Sequence, residues 1–149
     1  MHALMAVVLV VWTVPAASQS VDGRWQISIE PASRRTDDGG SVARRGFEGT
    51  LVLATDGPKV QGTLALAGGS VPELALSGTV EAGRLRVVTE WKEVEIAEDG
   101  RKSTMRFRFV LDGEMNGAVL AGSCRWEIAG YESVDQKWSA TRSTTASRR

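Results

Sequence analysis

The sequence has one histidine, His2, and one cysteine, Cys124, in 149 residues. Catalytic triads and zinc or copper centres use imidazole as base or ligand. With the only imidazole at position 2, the chain calls for no metal and no cofactor, and only carboxylates, lysines, hydroxyls and Tyr131 are left for acid–base chemistry. A single cysteine excludes an internal disulfide, so a hydrophobic core and ladder hydrogen bonds must hold the fold. Cys124 itself reads as a small buried side chain on a strand. Net charge is lacking too: 18 basic residues balance 18 acidic ones. Without a positive field the chain is not expected to bind nucleic acid. After Val21 no apolar series recurs at helical spacing, which excludes a helical fold.

One long apolar run is present, and it stands at the start. Ala3 to Val14 carry no charge and are followed by Pro15 and the small residues Ala16, Ala17 and Ser18. That is the grammar of a signal peptide, and the run is too short to span a bilayer. We expect a leader at 1–18, a barrel domain at 19–142 and a disordered tail at 143–149, whose residues are polar apart from Ala146. The expected location is secreted or periplasmic, with no stable membrane anchor.

The remainder alternates apolar and polar residues in short runs separated by glycine-containing turns, the pattern of an all-β fold. Trp25, Ile27 and Ile29 share one face, as do Phe47, Gly49, Leu51 and Leu53; Val60, Gly62, Leu64 and Leu66; and Leu74, Leu76, Gly78 and Val80. The run Arg84 to Ala97 starts with Leu85 and Val87 inward and ends with Val94 and Ile96 inward, which calls for a β-bulge between them. Asp99-Gly100 reads as a two-residue hairpin loop. It pairs Val94 with Met105, Glu93 with Arg106 and Trp91 with Arg108, an arginine able to cover the indole. Phe107, Phe109 and Leu111 continue inward, Asp112-Gly113 reads as a further turn, Met115, Gly117 and Val119 form a seventh run, and Trp138 and Ala140 an eighth. Gly49, Gly62, Gly78 and Gly117 take the inward parity, where a tightly curved sheet leaves no room for a side chain. These readings predict one closed antiparallel up-and-down barrel of about eight strands.

Gly23-Arg24-Trp25 at the start of the first strand and Trp138-Ser139-Ala140-Thr141-Arg142 at the end of the last resemble the calycin superfamily of lipocalins, fatty-acid-binding proteins and avidins. Small exported bacterial barrels of unassigned function look similar. The resemblance implies a lipocalin-like barrel in which Trp25 plugs the closed end and Arg142 packs across it, with Gly23 and Trp138 in structural roles. The Thr-Asp-Tyr motif of lipocalins has no counterpart. By the same resemblance, the polar stretch Pro31 to Gly46 is a loop over the mouth. There Arg34, Arg35, Arg44 and Arg45, with Tyr131 from a second loop at Ala129 to Gln136, would meet a carboxylate or phosphate headgroup.

The inward rows are apolar, and Glu93 and Glu95 point outward into water, so no pair of carboxyls has the contrasting environments that catalysis needs. We expect a protein that is not an enzyme. Two functions fit: a carrier of a small apolar or amphipathic ligand, or a self-filled barrel acting as a protein-interaction module, an inhibitor or envelope accessory protein. For the second, the uncharged outer face near Thr63, Ala65, Ala75 and Ser77 is the expected contact for a second copy or another protein.

Overall fold

Apolar residues at every second position need a sheet with one buried face, and a sheet that closes on itself buries that face without a second layer. The structure, a computed structural model describing residues 20–68 and 73–143, consists of β1 (Gly23–Ile29), β2 (Ala32–Arg35), β3 (Ser41–Arg44), β4 (Phe47–Asp56), β5 (Lys59–Leu66), β6 (Leu74–Glu81), β7 (Arg84–Thr89), β8 (Lys92–Glu98), β9 (Arg101–Asn116), β10 (Val119–Ile128) and β11 (Val134–Arg142). All pairs are antiparallel. Around the barrel the order is β1-β4-β5-β6-β7-β9-β10-β11, and β11 returns to β1 with Trp25 opposite Arg142 and Ile29 opposite Trp138. The protein is thus an all-β closed barrel of eight antiparallel strands, and no helix occurs among the described residues. The expected leader at 1–18 lies outside those residues, as do 144–149 of the expected tail. Ser143 is described, and its N–H donates to Arg24 O at 2.9 Å.

The bulge in the fifth run is visible in the register. β7 pairs with β9 from Arg84↔Glu114 to Val88↔Val110, whereas β8 pairs with it from Lys92↔Phe107 to Glu98↔Arg101. Thr89, Glu90 and Trp91 therefore stand opposite only Arg108 and Phe109, one residue too many, and the inward parity switches there. The Thr89 hydroxyl repairs the interrupted ladder by accepting the Phe109 N–H at 2.8 Å. Beyond the bulge, β8 and the first part of β9 form a hairpin with Val94 opposite Met105 and Glu93 opposite Arg106. Asp99 (φ 50°) and Gly100 (φ 75°) make its tight turn.

Three sequence expectations need correction. Asp112-Gly113 is not a turn: β9 runs straight through it. Gly113 is there because a Cβ would stand 2.5 Å from Cζ2 of Trp138, whose ring lies across this part of the sheet. Gly117 is not on a strand; it occupies the β9–β10 turn with φ 62°. The inward glycine of that region is Gly122 on β10, where a Cβ would collide with the Asp112 carbonyl, just as at Gly49, Gly62 and Gly78 it would collide with carbonyls of Ala65, Val52 and Arg86. These glycines are filled by neighbouring backbone, so they allow curvature without leaving space. Finally, Pro31 to Gly46 is not a plain loop but contains the β2–β3 hairpin, with Ala32 opposite Arg44 and Arg35 opposite Ser41.

Side chains of the barrel strands line a buried interior. Trp25, Leu51, Leu64, Leu74, Leu111, Leu120 and Cys124 are fully buried, and Ile27, Val87, Phe107, Phe109, Trp138 and Ala140 nearly so. Only two polar side chains are buried among the described residues, Thr89 and Gln136.

Candidate functional site

Position along the strands divides the candidate residues between the two ends of the barrel. At the end where β1 begins, the Trp25 indole donates to Val21 O at 2.9 Å. The Arg142 guanidinium lies 4.4 Å from the Trp25 ring centroid and donates to the carbonyls of Asp22 and Ser20. A Cβ on Gly23 (φ 124°) would press against Arg142 Nη1. Asp22 accepts the Thr55 N–H, and hydrogen bonds from Ser20 and Thr55 hold its carboxyl below the usual range. Trp138 lies deeper in the barrel, its indole N–H shared between Asp112 O and Ser123 O at 3.0 Å each.

The opposite end is built from aromatic rings. Trp126 stacks on Phe109 with centroids 5.7 Å apart and meets Phe47 edge-on at 5.2 Å; Phe107 closes the group, 5.9 Å from Phe109. Such pairs add about 0.5–1.5 kcal/mol each beyond the area they bury. The β2–β3 hairpin folds over them. Arg44 lies 5.7 Å from the Trp126 centroid and Arg45 4.8 Å from that of Phe47. Arg44 Nη2 donates to Glu132 O at 2.7 Å, and Arg34 pairs with the Glu132 carboxylate at 2.6 Å. Gln136 reaches up from β11 and donates to both Glu30 O and Arg45 O at 2.9 Å.

Of the five expected mouth residues, Arg34, Arg44 and Arg45 are thus brought to one end and engaged with the protein's own groups. Arg35 and Tyr131 stand in solvent, Tyr131 71% exposed. Gln136, Trp126 and Thr89 were absent from the sequence expectations. The signal for Gln136 is present, since Val134, Gln136, Trp138 and Ala140 alternate inward, but reading Ala129 to Gln136 as a loop hides it.

The outer surface carries a different kind of feature. Residues of β4 to β7 form two uncharged rows, Val52–Thr63–Ala75 and Ala54–Gln61–Ser77–Val88, in register across the sheet. All of them but Val52 line a shallow groove of about 640 Å³. Asp56, Lys59 and Arg86 border it at one end and Glu90 at the other. Beyond Glu90 the half-buried Trp91 faces two guanidinium groups, Arg108 at 4.6 Å and Arg106 at 4.9 Å. A second groove, across β6, β7, β9 and β10, is lined by charges that pair with one another, Arg84 with Glu114 and Arg86 with Asp112.

Burial, with the Asp135 carboxylate adding to it, pushes the Cys124 thiol up to about 12, so at neutral pH it is a protonated, enclosed group. Glu93 and Glu95 are exposed on the β8–β9 hairpin. No cluster of three or more histidine, cysteine or carboxylate side chains suited to a metal occurs among the described residues. No known family model matches the chain, and no curated protein matches it in sequence.

Proposed function

We propose that this is an exported, noncatalytic, calycin-like barrel that acts as a protein-interaction module through the outer face of β4 to β7. The observation that carries the proposal is the burial of large side chains at both ends of the barrel. Trp25 and Arg142 occupy one end, and Phe47, Phe107, Phe109 and Trp126 the other. A carrier would need those rings to separate, at a loss of well-packed contacts; an interaction module needs no rearrangement. The uncharged groove has the anatomy of a binding face, small and apolar groups at the centre with charges at the rim. Trp91, flanked by arginines, supplies the residue types in which binding energy concentrates.

The partner is a second copy or another envelope protein. Introducing charge at the centre of the face tests this, because a desolvated unpaired lysine opposes association by several kcal/mol. Protein purified under mild conditions from its own host is expected to elute from size exclusion above the monomer mass. The Thr63→Lys/Ser77→Lys variant is expected to elute as the monomer. Equal elution of the two, at any mass, overturns the proposal.

A further inference from the structure

Beneath the β2–β3 hairpin three buried polar atoms have no hydrogen-bond partner among the described residues: Arg44 Nε, Trp126 Nε1 and Gln136 Oε1. They belong to one corner of the barrel. Arg44 lies over the Trp126 ring. Trp126 pairs with Val134 and Cys124 with Gln136, so Trp126 and Gln136 are diagonal neighbours on the inward face. Gln136 in turn bonds to the carbonyl of Arg45, the residue after Arg44. An unpaired buried polar group costs about 1–3 kcal/mol, and one partner shared by the three would remove that cost.

The chemistry of that partner follows from the three atoms. Gln136 cannot turn its amide around, because Oε1 would then face the carbonyls of Glu30 and Arg45 that Nε2 now contacts. The corner therefore offers two donors and one acceptor. A carboxylate or phosphate would satisfy the donors but set its lone pairs against Gln136 Oε1, and an ammonium would face two N–H groups. A hydroxyl oxygen accepts two hydrogen bonds and donates one. We infer that this corner is a hydroxyl-binding site, occupied by an internal water or by the alcohol group of a small neutral ligand, which bridges the arginine hairpin to β10 and β11. Buried waters commonly make about three hydrogen bonds of this kind. The inference is independent of the outer-face proposal, since it concerns the inside of the opposite end.

Water-selective rotating-frame NMR on the full chain reads the site at the indole N–H, with Trp126 assigned by its loss in Trp126→Phe. Trp126 is expected to show a cross-peak to a long-lived water, whereas Trp25 and Trp138, whose indoles already donate to carbonyls, show none. Arg44→Lys removes the Nε donor and keeps the charge; it is expected to accelerate exchange of the Trp126 N–H about tenfold, the equivalent of one hydrogen bond. Gln136→Leu is expected to abolish the cross-peak, and the lysine variant carries the test if the leucine variant does not fold. Titration with glycerol separates the two sources. A saturable shift of the Trp126 resonance identifies a ligand hydroxyl, and an unshifted resonance with a persistent cross-peak identifies water. No cross-peak and no shift, or a larger response to acetate than to glycerol, overturns the inference.

Discussion

At one end of the barrel Arg142 lies over Trp25, and the indole N–H and both terminal guanidinium nitrogens have protein partners: the indole donates to Val21, the guanidinium to Asp22 and Ser20. At the other end Arg44 lies over Trp126, and both side chains keep a buried N–H without a partner among the described residues. The first arrangement joins residues of the two strands that close the barrel, Trp25 and Arg142 being directly paired. The second is made by a hairpin laid across the rim and tied down chiefly at Glu132 and Gln136. The same two residue types thus seal one end as part of the closure itself and cover the other as an attached lid. The difference is that the buried polar groups of the Trp25 indole are satisfied within the protein, whereas those beside Trp126 are not.

Truncation should separate the ends most strongly. Trp25→Ala is expected to lower stability by about 3–5 kcal/mol in urea unfolding, because it opens a large cavity where the strands meet. A loss under about 1 kcal/mol would contradict the structural role. Arg142→Met, which keeps the apolar stem but leaves two carbonyls without their charged donor, is expected to cost about 2 kcal/mol.

Cys124, near the Trp126 end, gives a pH test. Its folded thiol lies at about 12 against an ordinary 9.0. Its contribution is therefore fully present below pH 9 and is lost as pH rises toward 12. Unfolding measurements at pH 10 should show about 1.4 kcal/mol less stability than at pH 7 from this group. Cys124→Ala should flatten that part of the profile. Arg34→Ala comes last: its pair with Glu132 is more than half exposed on both sides, so at most about 0.5 kcal/mol is expected.

The closure was legible in the sequence where alternation was strong. Trp25-x-Ile27-x-Ile29 and Phe47 to Leu53 became β1 and β4, and the change of parity after Val87 announced the bulge. What failed was the region from Asp112 to Ile128. Asp112-Gly113 carries the local chemistry of a turn, but its glycine answers to a distant indole, Trp138, which no local pattern reveals. β10 places Leu120, Gly122, Cys124, Trp126 and Ile128 inward, a row too poor in bulky apolar residues at its centre to read as a strand. The expected count of eight agrees with the barrel because the sequence divides the one long strand β9 into two runs and gives no separate signal for β10. At the candidate site, the arginines stood out by charge. The partners that hold them, the backbone of Glu132 and the amide of Gln136, depend on chain segments about 90 residues apart and become visible only when the barrel is closed.

The choice of an interaction module over a carrier is tested most directly by native mass spectrometry of the protein purified from its own host. The account predicts the mass of the polypeptide, alone or with a bound protein, and no retained apolar small molecule. A stoichiometric lipid-like mass that leaves only on unfolding would contradict it.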